Sequence, residues 1–341
     1  MSTTSRDPAV LLDDARQGSR VGLARLLTMI ERGGAESLEV AKLVYATAPP
    51  YSVGLTGAPG AGKSTLTDQL ITTARRGWPE VEKGAAEAIE QVSVLAIDPS
   101  SPFSGGAILG DRIRMQDHAT DPTVFIRSMA TRGHLGGLSL AVPDAVRLLG
   151  AAEMPVVLIE TVGVGQMEVE VASAADTTVV VVTPGWGDSM QANKAGLLEI
   201  ADIFVINKAD RPGARESRRD LEQMLDLSQL GDWRPPILET VAQSGEGVNE
   251  LWRTVADHRA HLVGSGTLET RREARLIEAL RRVLQARLAE RVEQVADGEL
   301  FQARVRTRRR ICSGSLCRPP QTRVQGSTRA RVLAWVGRSM G

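Results

Sequence analysis

The residues GAPGAGKS at 57–64 are the first that can do chemistry. They fit the spacing G-x-x-x-x-G-K-[ST], follow the apolar run YSVGLT and open the stretch STLTDQLITTARR, so the loop joins a strand to a helix, as the motif requires. Gly57, Gly60 and Gly62 let the backbone curl around phosphate oxygens, the helix N-terminus presents N–H groups, and Lys63 adds a positive charge. Ala58, Pro59 and Ala61 complete the cradle; the Ser64 hydroxyl is placed for Mg²⁺ and that of Thr65 for the α-phosphate. Alone, the loop specifies a nucleoside triphosphate and no particular base.

The base is read from Asn207-Lys208-Ala209-Asp210, which ends the apolar run DIFVI and so lies at the carboxyl end of a strand, where open α/β sheets bind ligands. The Asp210 carboxylate can accept from both N1–H and the 2-amino group of guanine. Adenine has a lone pair at N1 and would leave it unsatisfied. A site built on such a pair rejects the wrong ligand by roughly 10⁴-fold. Asn207 can brace the loop and the Lys208 stem can lie over the base. This is the N-K-x-D pattern of GTPases. Downstream, VAQSGEG at 241–247 falls where GTPases place S-A-K, whose Ala N–H meets guanine O6. Val241 stands in place of the Ser, so a loop-bracing hydroxyl is lost there; Ala242 and Gln243 keep the remaining positions.

Two acidic strand ends frame the phosphate loop. PVVLIETVGVGQ ends its apolar run in Glu160 with Gly163 three residues on, a D-x-x-G arrangement with Glu in place of Asp. Gly163 allows a backbone N–H to approach the γ-phosphate, and Glu160 can hold Mg²⁺ through a water, because Mg²⁺ sheds its waters reluctantly. Gln166 is a candidate for orienting the attacking water, or an ordinary first-turn residue. VSVLAIDPSSPFSGGAILGD supplies Asp98 and Asp111 around a Gly/Ser/Pro loop that reads as a switch ordered by γ-phosphate and Mg²⁺. Either Asp can instead be a turn or helix-cap residue. Glu160, Asp98, Asp111 and Ser64 are thus the metal candidates.

Positioning these groups takes a scaffold that the rest of the chain supplies. Seven runs (YSVGLT, VSVLAID, TVFIRS, PVVLIET, TTVVVVT, DIFVINK and PILETV) alternate with helical patterns from Tyr51 onward, as a parallel sheet covered on both faces requires. Residues 8–47 carry apolar positions at helical spacing, broken by Gly18 and Gly33-Gly34, and predict two or three short amphipathic helices that need a partner surface. Residues 268–295 predict a long charged helix with a stripe of Leu268, Leu276, Ile277, Leu280, Leu284, Leu288 and Val292, packed on its own domain, on a partner, or on both. The expected class is α/β, a P-loop NTPase with a mostly parallel sheet. The expected segments are 1–48 helical, 49–264 nucleotide-binding, 265–300 a helical arm and 301–341 an Arg-rich tail.

Composition bounds the rest. The 341 residues carry 41 basic and 41 acidic side chains, but residues 301–341 contain ten Arg and no Asp, Glu or Lys. Residues 1–300 are therefore acidic, with 31 basic against 41 acidic, and nothing there suggests nucleic acid. Both cysteines, Cys312 and Cys317, fall in the tail, so the body has no thiol framework or Cys metal site. The tail reads either as a disordered polybasic end able to bind RNA or anionic lipid, or as translation in a shifted frame. No apolar stretch approaches the roughly 20 residues of a membrane span, and the acidic N-terminus lacks a signal-type apolar region, so a cytoplasmic protein is expected.

Taken together, GAPGAGKST, AIDPSSPFSGGAILGDRIRM, ETVGVGQMEVEV, PGWGDSMQANKAG and NKAD resemble the MeaB/ArgK family, the GTPases associated with methylmalonyl-CoA mutase. The resemblance implies a homodimer formed through C-terminal helices, GTP/GDP and Mg²⁺ as ligands, and a chaperone role on an adenosylcobalamin-dependent acyl-CoA mutase, gating cofactor loading and protecting the enzyme. It also implies a third mobile loop matching Gly187, Asp188, Gln191 and Lys194. No arginine finger is evident, so hydrolysis is expected to be slow until a partner accelerates it. One alternative is a metal-insertion GTPase of the nickel type, with His258 and His261 as the only close His pair of the body, although a solvated helix face explains that pair more simply. Others are a GTP-binding adaptor, and the transport-kinase label that the family has carried, which the guanine-selecting NKAD opposes.

Overall fold

The computed structural model describes residues 7–79, 89–99, 118, 120–131, 137–161, 174–186, 194–228 and 231–297. The chain divides into two compact units, Met1–Leu284 and Gln285–Gly341. Of the second, residues 285–297 are described and are helical.

All seven apolar runs become strands: β1 (Tyr51–Thr56), β2 (Val92–Pro99), β3 (Val124–Thr131), β4 (Val156–Thr161), β5 (Thr177–Val182), β6 (Ile203–Asn207) and β7 (Ile237–Thr240). They form one sheet in the order β3-β2-β4-β1-β5-β6-β7, and every pairing is parallel. β1, β4, β5 and β6 are buried along their whole length, which explains their largely apolar sequences; the polar side chains they do carry, such as Ser52, Glu160, Thr177 and Asn207, are buried as well. Parallel strands also bring their carboxyl ends to one edge. The register sets Leu55 of β1 beside Glu160 of β4, and Ala96 of β2 on the other side of Glu160, so the ends of these strands converge.

The helices cover both faces. On one, α4 (Lys63–Ala74) and α8 (Val248–Gly264) share a core with the sheet through Leu66, Leu70, Ile71, Leu251, Trp252 and Val255. On the other, the N-terminal helices α1 (Pro8–Arg16), α2 (Arg20–Arg32) and α3 (Gly34–Val44) find the surface that they need. Leu11, Leu26, Leu27, Ile30, Val40 and Val44 pack with Phe125 of β3 and with Val142, Val146 and Leu149 of α5 (Gly137–Ala151). Asp7 and Ser19 start α1 and α2 by accepting from the backbone N–H of Ala9 and Gly22. Toward the far edge, α6 (Lys194–Ile200) and α7 (Ala214–Asp226) lie in chain order on either side of β6. The long helix is α9 (Thr267–Asp297). Its Leu268 is buried in the first unit, whereas Leu276, Ile277, Leu280 and Leu284 are 37–57% exposed. Of the predicted stripe, Leu276, Ile277, Leu280 and Leu284 thus each keep more than a third of their surface open.

Candidate functional site

The phosphate loop leaves β1 and enters α4 as predicted, and two of its glycines are required by contact as well as by conformation. Gly57 has φ +134°, and a Cβ there would sit 2.0 Å from the Val181 carbonyl of β5. Gly62, the left-handed N-cap of α4 with φ +90°, would place a Cβ 2.4 Å from the Asn207 amide nitrogen. The loop is therefore seated directly on β5 and on the base-recognition segment. Lys63 is buried, and its ammonium donates to the carbonyls of Gly57 (2.6 Å) and Ala58 (3.0 Å), which holds the charge within the loop that it serves. Thr65 is exposed on the first turn of α4.

Asn207 is the keystone between three segments. Its Nδ2 donates to the Ala61 carbonyl at 2.8 Å, and its Oδ1 accepts from the Thr240 hydroxyl and the Ala242 N–H, both at 3.1 Å. At 1% exposed, it engages both its amide nitrogen and its amide oxygen within the protein, which is the bracing role expected from sequence. Lys208, held at φ +62°, donates to the Gly60 carbonyl at 2.7 Å, a second tie from the base segment to the phosphate loop. Ala209 N–H bonds to Thr240 O. With these neighbours committed, Asp210 stands exposed at the end of β6 with no hydrogen bond or ion pair among the described residues.

Two details at 240–243 differ from expectation. The hydroxyl missing at Val241 is supplied one residue earlier, by the buried Thr240, a brace that sequence reasoning overlooked because it looked only at the Ser position. The Ala242 N–H is directed at Asn207, so a contact with guanine O6 has to share that donor. Gln243 is exposed, and Val241 closes the short turn by pairing with Glu246.

On the other side of the loop, the Ser64 hydroxyl donates to Glu160 Oε1 at 2.5 Å; Ser64 is 8% and Glu160 3% exposed. Two hard oxygen donors from α4 and β4 thus meet beside Lys63, a donor set that suits Mg²⁺ and not a soft metal. Asp98, next to last in β2, follows two residues after Ala96, the register neighbour of Glu160. Asp98's side chain, Asp111, Gly163, Gln166, Asp188, Gln191 and the Lys194 side chain lie outside the described residues.

The opposite end of the sheet carries a different cluster. Asp176 and Asp202, just before β5 and β6, are 2% and 8% exposed. Arg272 donates to Asp176 at 2.7 Å and Arg275 does so from one turn further along α9; Arg271 donates to Asp202 at 3.0 Å. Burial pushes the Asp176 carboxyl up, but the two guanidiniums outweigh it and hold it below the usual carboxylate range. Asp202 is likewise lowered against burial, by His258, Arg271 and the Thr178 N–H. His258 is fully buried, bonds to the Thr177 hydroxyl at 2.8 Å and packs on Trp233, which also meets His261. The expectation of a solvated His258–His261 face is therefore wrong: α8 turns that face onto Trp233 and the foot of β5. Among the described residues, no group of three or more His, Cys, Asp or Glu could hold a metal ion. No helix among the described residues is long and apolar enough to cross a membrane.

Comparison with known proteins agrees with this geometry. The family described as "Methylmalonyl Co-A mutase-associated GTPase MeaB" matches residues 23–297. A Pyrococcus abyssi relative is 49% identical over 289 residues, covering 83% of this chain and 86% of that one. GTPase ArgK of Escherichia coli is 36% identical, covering 78% and 80%. The mitochondrial methylmalonic aciduria type A homolog of Mus musculus is 34% identical, covering 75% of this chain and 64% of that one. A crystal structure of an LAO/AO transport system kinase superposes over both whole chains with a TM-score of 0.69 at 25% identity.

Proposed function

The chain belongs to the MeaB family of methylmalonyl-CoA mutase-associated GTPases, and we propose that its nucleotide state governs cofactor loading and protection of an adenosylcobalamin-dependent acyl-CoA mutase. That it is a GTPase follows from the family. The observation that carries the guanine reading is the exposed Asp210 carboxylate, at the carboxyl end of β6 beside an Asn207 whose amide ties the phosphate loop to Thr240-Ala242. Base and phosphate recognition are in this way one rigid piece, so a bound guanine fixes where its phosphates lie.

In this reading, the loop N–H groups and Lys63 cradle the β- and γ-phosphates and neutralise charge as the bond to the γ-phosphoryl group breaks. Ser64 and Glu160 would hold Mg²⁺, with Asp98 and Asp111 completing the set; the ion supplies charge neutralisation at the phosphates. Gly163 offers its N–H to the γ-phosphate, and Gln166 orients the attacking water. Asp188, Gln191 and Lys194 carry the nucleotide state toward the partner, and α9, with its uncovered Leu276, Ile277, Leu280 and Leu284, supports a homodimer. What supports the mutase as partner is the family match over residues 23–297, together with the methylmalonic aciduria name of the mouse relative.

The reading of slow hydrolysis by the protein alone rests on the sequence, which offers no evident arginine finger. The test is GTP turnover at saturating nucleotide, with and without a methylmalonyl-CoA mutase. Slow turnover that rises at least tenfold with the mutase is expected. Rapid turnover in isolation, or no response to the mutase, would contradict the proposal.

A further inference from the structure

α7 (Ala214–Asp226) turns Ala214, Ser217, Leu221 and Leu225 into the core. Arg218 sits at the boundary and is engaged there, donating to Glu239 at 2.7 Å and to the Ile237 carbonyl at 2.9 Å. Farther out, Arg215, Arg219, Glu222 and Asp226 are all exposed. A helix turns by about 100° per residue, so spacings of four, three and four residues keep these side chains within about 60° of one another, in a line along the helix. From the N-terminus, the line is two cations followed by two anions. Glu216 and Asp220 fall on a separate flank.

The side chains of Arg215, Arg219 and Glu222 make no hydrogen bond or ion pair among the described residues. Asp226 accepts from Arg234 at 2.7 Å, but both are more than half exposed, and such a surface pair contributes little. Within the helix the order of charges opposes stability, since Arg215 and Arg219 are like charges four residues apart, and so are Glu222 and Asp226. Exchanging Arg219 with Glu222 would turn both repulsions into attractions. A local rule broken with no compensating contact among the described residues points to a partner. Leu227, the next residue, is 89% exposed and adds apolar area to the same outer surface.

We propose that this face docks on the same face of a second copy of the chain, antiparallel across a two-fold axis that passes between Arg219 and Glu222. The order of charges selects that occupant. Reversed, the line presents two anions and then two cations, so Arg215 meets Asp226 of the second copy, Arg219 meets Glu222 of the second copy, and symmetry repeats both pairs. A parallel copy sets like against like, and a uniformly acidic or basic partner is repelled by half of the line. Exposed ion pairs are weak singly and are screened by salt, so the contact is weak, oriented by charge, and distinct from the apolar stripe of α9.

Sedimentation equilibrium of the full chain at ionic strengths of about 0.01 M and about 1 M tests this, since charges interact over about 30 Å in the first and about 3 Å in the second. Two double reversals complete it: Arg215→Glu with Arg219→Glu makes the line wholly anionic, and Glu222→Arg with Asp226→Arg makes it wholly cationic. Wild-type mass should rise at least twofold from high to low ionic strength. Each double reversal alone should stay at its high-salt mass, and an equimolar mixture of the two should regain the rise. A mixture of the anionic variant with Glu250→Arg plus Asp257→Arg, the same charge change at exposed positions of α8, should not. GTP turnover at the wild-type rate shows that each variant folds. A wild-type mass indifferent to salt, self-association that survives either reversal, a mixture that fails to regain it, or equal recovery with the α8 variant overturns the proposal.

Discussion

The two ends of the parallel sheet are built from the same residue types to opposite purposes. At the carboxyl ends, the aspartate that matters, Asp210, is exposed and lacks a partner among the described residues, while the amide and lysine around it are spent on the backbone. At the amino ends, Asp176 and Asp202 are buried and saturated by three arginines of α9, a histidine and backbone N–H groups. A carboxylate kept open can recognise a ligand. One that is closed by guanidiniums can only hold structure, and here it holds the root of α9 against the strands that also carry the phosphate loop's neighbour, Val181. Charge alone does not mark a site; whether its partners are inside the protein does.

Substitutions at the two ends should separate binding from stability. The largest effect is expected for Asp210→Ala, which removes the carboxylate that reads guanine N1–H and its 2-amino group: GTP preference over ATP, from competition binding, should fall by up to about 10⁴-fold with thermal stability unchanged. Loss of stability without loss of selectivity would erase the distinction between the ends. Asp176→Ala is the converse. It leaves Arg272 and Arg275 without their carboxylate and should cost about 3–5 kcal/mol in denaturant unfolding, with nucleotide selectivity retained in the folded fraction. Lys63→Ala should lower GTP turnover by roughly 10²–10³-fold, measured under single-turnover conditions, because a charge aimed at the phosphates is lost while the fold remains.

A smaller effect concerns acid. The carboxyls of Asp176 and Asp202 are depressed in the folded protein, so their stabilisation is present above the unfolded carboxylate value of about 3.9 and is lost as pH falls through the lower folded values. Unfolding free energy should therefore fall below about pH 4, and Asp176→Asn should flatten that slope. The smallest is Thr240→Val, which removes one of the two donors to Asn207 Oδ1 and should weaken GTP binding by about three- to tenfold by calorimetry.

Much of this was legible in the residues. The seven strands were readable because each is a short run rich in apolar residues, four of them buried along their whole length, and the phosphate loop and NKAD because each is contiguous and sits where a strand ends. What depended on tertiary pairing was not. Asp176 and Arg272 are 96 residues apart, so nothing local marks the clamp. His258 looked like a solvated neighbour of His261 because the spacing shows a helix face but not that Trp233, Thr177 and Asp202 cover it. Thr240 escaped notice for the opposite reason, since attention to the Ser position of the S-A-K pattern left the preceding hydroxyl unexamined. The stripe on α9 was visible as amphipathic, but only the structure shows that its own domain covers Leu268 and leaves Leu276 to Leu284 open.

The most direct test of the proposed role is the affinity of the protein for methylmalonyl-CoA mutase, measured by sedimentation or calorimetry with GDP and with a non-hydrolysable GTP analogue. A difference of at least tenfold between the two nucleotide states, lost in Asp210→Ala and retained in Asp176→Asn, is the predicted result. Equal affinity in both states, or negligible binding in either, would contradict it.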